Sequence, residues 1–202
     1  MISTILTFVC LMQTADSTAI EKLTAEEFDV HLKAVGNISV EEAPHYMSVA
    51  IFHKINSYRS KKRLAPLHWE PLLQKASDLH NSEMDKYNFF NHNNHRNRKL
   101  FSPKDRVSAV GVENVKVGEN IALLDIPAED YINENNTISA THIDQLAAEF
   151  VTMWRNSKGH NENMLRSEYV YSGISCYFSK RALQKNTLKI YVTNVLITKA
   201  QD

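Results

Sequence analysis

Leu188-Lys189-Ile190-Tyr191-Val192-Thr193-Asn194-Val195-Leu196-Ile197 is the stretch that decides the fold. Apolar residues occupy both of its alternating faces, and β-branched residues run through it. A strand with one wet face alternates apolar with polar side chains, whereas a strand apolar on both faces must be covered on both. This reading predicts an interior strand between two helical layers. Just upstream, Ser172 to Ser179 points Ile174, Cys176 and Phe178 to one face, and the polar segment Lys180 to Asn186 joins the two runs. An antiparallel hairpin follows. A further, irregular strand is predicted over Val112 to Leu124, carrying Gly118-Glu119-Asn120-Ile121.

Helices surround these strands. Met47, Ala50, Ile51, Ile55 and Tyr58 fall at helical spacing, as do Leu72, Leu73, Ala76, Leu79, His80 and Met84. The second of these helices should end near Tyr87. Ile143, Leu146, Ala147, Phe150, Val151 and Trp154 define a third long helix that breaks around Ser157-Lys158-Gly159. Ser102-Pro103 opens a short helix, Pro103 to Ala109, because serine caps and proline in the first turn loses no hydrogen bond. Asp125 to Thr141 reads as a long polar loop. Helices before and after a small sheet give an α+β class, arranged as a three-layer α-β-α sandwich with a small, mainly antiparallel sheet.

Bulk properties narrow the function classes. The 202 residues suit one domain. Lysine plus arginine and aspartate plus glutamate number 23 each, so no basic excess argues for nucleic acid. No apolar run approaches the ~20 residues a membrane helix needs. Ile2 to Met12 is an apolar stretch of signal-peptide length, followed by small residues at Ser17-Thr18-Ala19, so residues 1–19 read as an export leader. Residues 20–45 read as an N-terminal extension with one short helix, and 46–202 as the domain. Cys10 belongs to the leader, which leaves Cys176 without a partner and excludes a disulfide framework.

Several segments resemble the CAP superfamily of SCP-like domains. They are Ile55-Asn56-Ser57-Tyr58-Arg59, Leu64 to Trp69, Phe89-Phe90-Asn91-His92, Ser102 to Val107, Gly118-Glu119-Asn120-Ile121-Ala122, Trp154-Arg155-Asn156-Ser157-Lys158-Gly159-His160, Tyr171 to Ile174 and Tyr191 to Asn194. They occur in the family's order from about Met47 to Ile197. The lack of paired cysteines is similar to the bacterial branch. The resemblance implies the α-β-α sandwich, an extracellular, periplasmic or envelope setting, and a cavity that many members build from two histidines and two glutamates. His92, Glu119 and His160 match three of those positions. The fourth departs, because Ser157 stands where animal and plant members carry glutamate.

Two facing neutral imidazoles, His92 and His160, suit a divalent ion, Zn²⁺ first, with Glu119 either orienting one ring or serving as a third ligand. The competing reading is a hydrogen-bond network tying a loop, a strand and a helix end together. No activated nucleophile is visible, so the chain reads as a binding module for a small apolar or lipid-like ligand or a protein partner. The alternative is a zinc-dependent hydrolase acting on envelope material, with Glu119 as base. His95 forms an HxxH pair with His92 but lies in an Asn-rich loop. His80 reads as a packed or hydrogen-bonding residue on a helix stripe, and Asp105 and Arg106 read as a local ion pair.

Overall fold

A computed structural model describes residues 17–200. Apart from the start of a 3-10 turn at Ser17–Lys22, the leader read over residues 1–19 lies outside the described residues, as does Cys10. Helix α1 (Ala25–Val35) opens on a reciprocal capping box between Thr24 and Glu27, and β1 (Asn37–Ser39) follows. Helix α2 (Ala43–Lys61) leads through β2 (His68–Trp69) into α3 (Pro71–Tyr87). Asn88 ends α3 in the left-handed conformation, at φ 50°. Helix α4 (Pro103–Ala109) keeps its expected bounds, capped by Ser102 and Asp105. Next come β3 (Val117–Pro127), β4 (Thr137–Ser139), α5 (Ala140–Asn156), α6 (Lys158–Leu165), β5 (Tyr171–Phe178), α7 (Lys180–Leu183) and β6 (Thr187–Ile197).

The main sheet runs β2-β5-β6-β3, parallel between β2 and β5 and antiparallel elsewhere. The segment that opened the reading is thus an interior strand, with α3 and α4 against one face and α2, α5 and α6 toward the other. The α+β three-layer sandwich stands as expected. Its largest core joins α2, α5 and the hairpin through residues such as Ile51, Phe150, Trp154, Ile174 and Val192. Helix α3 sits so close to β5 that a Cβ at Gly173 would stand 2.1 Å from the Gln74 nitrogen and 2.3 Å from the Leu73 carbonyl carbon. Backbone cannot give way as a flexible side chain can. Gly173→Ala should therefore cost about 1–3 kcal/mol through overpacking, read as a lower urea midpoint; an unchanged midpoint would mean α3 is not seated on this strand.

Four differences from the sequence reading have physical causes. Residues 25–40 are not a loose extension: Phe28, Leu32 and Ile38 are buried in the main core, and β1 pairs with β4. Ala25, Phe28, Leu32 and Val35 recur at helical spacing, but α1 is 11 residues long and only Phe28 and Leu32 are buried, so the pattern shows a short helix and not what it packs against. The predicted strand over 112–124 starts at Val117 and runs on to Pro127. The polar loop after it contains β4, three residues long and below what alternation can reveal. The chain does break at Ser157, but resumes as α6, whose eight residues bury only Met164.

Candidate functional site

Side chains alternate along β3, and this sends Glu119 and Asn120 to opposite layers. Glu119 turns toward α3 and α4. Its side chain is 1% exposed. Oε1 accepts a hydrogen bond from His92 Nδ1 at 2.8 Å, and Oε2 accepts one from Arg106 Nη2 at 2.6 Å. Asn120 turns toward α6, where its Nδ2 donates to the His160 carbonyl at 3.0 Å. Asn163 Nδ2 donates to the Glu119 carbonyl and to Asn120 Oδ1. Trp154 Nε1 donates to the Ile121 carbonyl at 3.1 Å and fixes the end of α5 to the same strand.

These anchors bring the His92 and His160 rings together, 6.2 Å between centroids and inclined by 55°. His92 comes from the loop after α3 and His160 from α6, so the pair closes around the edge strand β3 from the two helical layers. The three expected residues therefore meet. Glu119 is not between the rings but behind His92, in the interior. The His92 side chain is 44% exposed, so the imidazole pair opens to solvent.

Charge distribution follows from this packing. Burial opposes ionisation of Glu119, but the His92 hydrogen bond and the Arg106 guanidinium outweigh it and hold the carboxyl below its ordinary range. Burial, reinforced by His92, lowers His160 and favours its neutral form. His80 is fully buried with Nε2 3.8 Å from Glu119 Oε1, and burial first of all pushes it down to about 4. The pairing of Asp105 with Arg106 is corrected: Asp105 caps α4, while Arg106 turns inward, fully buried, and donates to the carbonyls of His92, Leu100 and Phe101 as well as to Glu119. Arg106, His80, Asn120 and Asn163 are the participants that sequence reasoning missed. Arg106 stands four residues after a Ser-Pro helix start, which places it one turn in, but nothing in the spacing says which way it faces.

Ser157 sits at the junction of α5 and α6, and no hydrogen bond joins it to His160 among the described residues. His95 is exposed and packs edge-on against Phe101 instead of joining His92. Glu162 is exposed. Among the described residues no group of three or more His, Cys, Asp or Glu side chains is placed to hold a metal ion. Cys176 is buried and has no disulfide partner among the described residues, and burial pushes its thiol up to about 12, which disfavours the reactive thiolate.

The Cysteine-rich secretory protein family, CAP, matches residues 52–194. The chain belongs to the CAP family. Among its relatives, "Uncharacterized membrane protein YlbC" of Bacillus subtilis is 30% identical over 119 residues, 59% of this chain and 28% of that protein. "Uncharacterized protein YkwD" of the same organism is 25% identical over 151 residues, 75% of this chain and 48% of its own length. The CAP chain thus spans less than half of either relative. An extracellular SCP-domain protein from Bacillus anthracis superposes with a TM-score of 0.59 at 23% identity, covering 81% of this chain and 45% of that one. An outer surface protein from Borrelia burgdorferi gives 0.55 at 15% identity, covering 81% and 98%. These likenesses establish the fold. No helix among the described residues is long and apolar enough to cross a membrane.

Proposed function

We propose that the chain is an exported, non-catalytic binding module whose groove takes a divalent ion, Zn²⁺ first, on the His92–His160 pair, or a lipid-like or peptide ligand. The observation that carries this reading is the engagement of both Glu119 oxygens. A carboxylate facing Nδ1 accepts a hydrogen bond from that nitrogen, so in the neutral ring the lone pair lies on Nε2, the arrangement that orients a metal-binding histidine. His92 and His160 would supply two nitrogens, and Glu119 would orient the first of them without ligating. Water or ligand atoms would complete the shell. Bound zinc would supply Lewis acidity. The chain's own part is to hold the two imidazoles together at a solvent-facing edge.

The hydrolase reading requires Glu119 to act as base, and a base needs a free oxygen within reach of the attacking water. Arg106 and His92 occupy those oxygens. An exported setting is supported by the apolar leader expected over residues 1–19 and by the extracellular and outer-surface character of two structural neighbours.

Calorimetric titration of chelator-treated protein with zinc tests the reading. One equivalent should bind, His92→Ala and His160→Ala should each abolish it, and Glu119→Gln should weaken it about 10–100-fold. Turnover of an envelope substrate by the zinc-loaded protein, lost in Glu119→Gln, would establish the hydrolase instead.

A further inference from the structure

A second feature lies between α2 and α5, built from residues outside the histidine cluster. It is a groove of about 500 Å³ lined by Lys54, Tyr58, Lys61, Lys62 and Arg155 with small neighbours from α5. No lining residue is acidic. Lys54 pairs with Asp144 at 2.6 Å. No ion pair forms within 4 Å of Lys61, Lys62 or Arg155 among the described residues. The Arg155 guanidinium lies 4.7 Å from the centre of the Tyr58 ring, and the Lys62 ammonium 5.8 Å from the same centre. One aromatic ring therefore gathers two cations, and a third stands beside Lys62 on the last turn of α2.

In a chain of zero formal net charge this segregation is specific. Clustered like charges repel, and the repulsion is relieved by a counter-charge in the groove. Lysines at a helix end are partly explained by the carbonyl dipoles there. The same dipoles favour Arg155 in the last turn of α5, but they do not explain why two helix ends turn their cations onto one shared ring, Tyr58. The planar fork of Arg155 suits a tetrahedral oxyanion held through two oxygens, flanked by the point charges of the lysines. With Lys54 held by Asp144, three cations without an ion-pair partner among the described residues, Arg155, Lys61 and Lys62, line the groove, so it suits a ligand bearing more than one negative charge.

We infer that this groove is a binding site for a phosphate-bearing polyanion, with Arg155, Lys61 and Lys62 as the recognising cations and Tyr58 as the ring that holds two of them in place. The probes are sodium tripolyphosphate, followed by calorimetry at low and at moderate salt, and phosphatidylglycerol vesicles, followed by co-sedimentation. Tripolyphosphate should bind the whole chain, more weakly as salt rises. Arg155→Ala and the double variant Lys61→Ala/Lys62→Ala should each lower the affinity at least tenfold. The double variant Lys180→Ala/Lys185→Ala, on the α7 turn, should leave it unchanged. Vesicle binding with the same residue dependence, without tripolyphosphate binding, would place the phosphate on a lipid headgroup at the same site. Failure to bind either probe, or binding indifferent to Arg155 and the Lys61/Lys62 pair, overturns the inference. Zinc titration of the same variants should be unaltered, so this outcome is separable from that of the histidine pair.

Discussion

Glu119→Ala is expected to destabilise the domain by about 3–5 kcal/mol, the cost of stranding one member of a buried ion pair. The Arg106 side chain is wholly inaccessible and the Glu119 side chain 1% exposed. Arginine does not discharge by losing its proton at any ordinary pH. Without Glu119 its positive charge would remain inside, with only the carbonyls of His92, Leu100 and Phe101 as partners. The variant also frees His92, whose ring is oriented by the lost oxygen. A large fall in the urea midpoint, with little change in the slope, is the expected measurement. Adding Arg106→Met should restore much of the loss, because removing both charges removes the stranded one. A Glu119→Ala protein as stable as its parent would mean that the pair is solvated.

Stability should also fall by about 3 kcal/mol between pH 6.5 and 4 because of His80 alone. Its ordinary value of 6.5 applies to the unfolded chain, and burial lowers the folded value to about 4. In that window the unfolded state binds the extra proton and the folded state does not, so acid favours unfolding. The contribution is complete above pH 6.5 and disappears as pH drops to 4. His80→Phe, which keeps an aromatic ring against Phe89, should flatten the unfolding free energy across this interval. Glu119 adds a separate loss at lower pH, since its carboxyl, ordinarily near 4.5, is lowered in the folded state. A wild-type profile level from pH 6.5 to 4 would show that His80 charges without penalty.

Much of this structure was legible in the sequence, for reasons that differ between elements. The interior strand β6 was readable because a run apolar on both faces has one structural solution. The helices α2, α3 and α5 were readable because each carries a long stripe at helical spacing, and α4 because Ser102, Pro103 and Asp105 spell out a helix start. The convergence of His92, Glu119 and His160 came from the resemblance of short motifs in order. No local rule relates positions 27 and 41 residues apart. Arg106 stayed hidden because an arginine beside an aspartate on a polar helix start looks solvated, and its direction is fixed only by where α4 docks. The one short helix expected within residues 20–45 is α1, but its burial and the β1–β4 pair were illegible for a related cause: Phe28, Leu32 and Ile38 gain meaning only against a core assembled from residues far downstream.

The placement of the two imidazoles around β3 has a mechanical consequence. That strand is the open margin of the main sheet, the kind of border at which foreign strands attach themselves. An ion joining residue 92 to residue 160 would clasp one helical tier to the other across that margin, as a rivet holds two plates over a seam. Loading the rivet would then resist splaying of the tiers and shield the border from strand capture, so protease resistance near β3 and freedom from aggregation should rise together with occupancy.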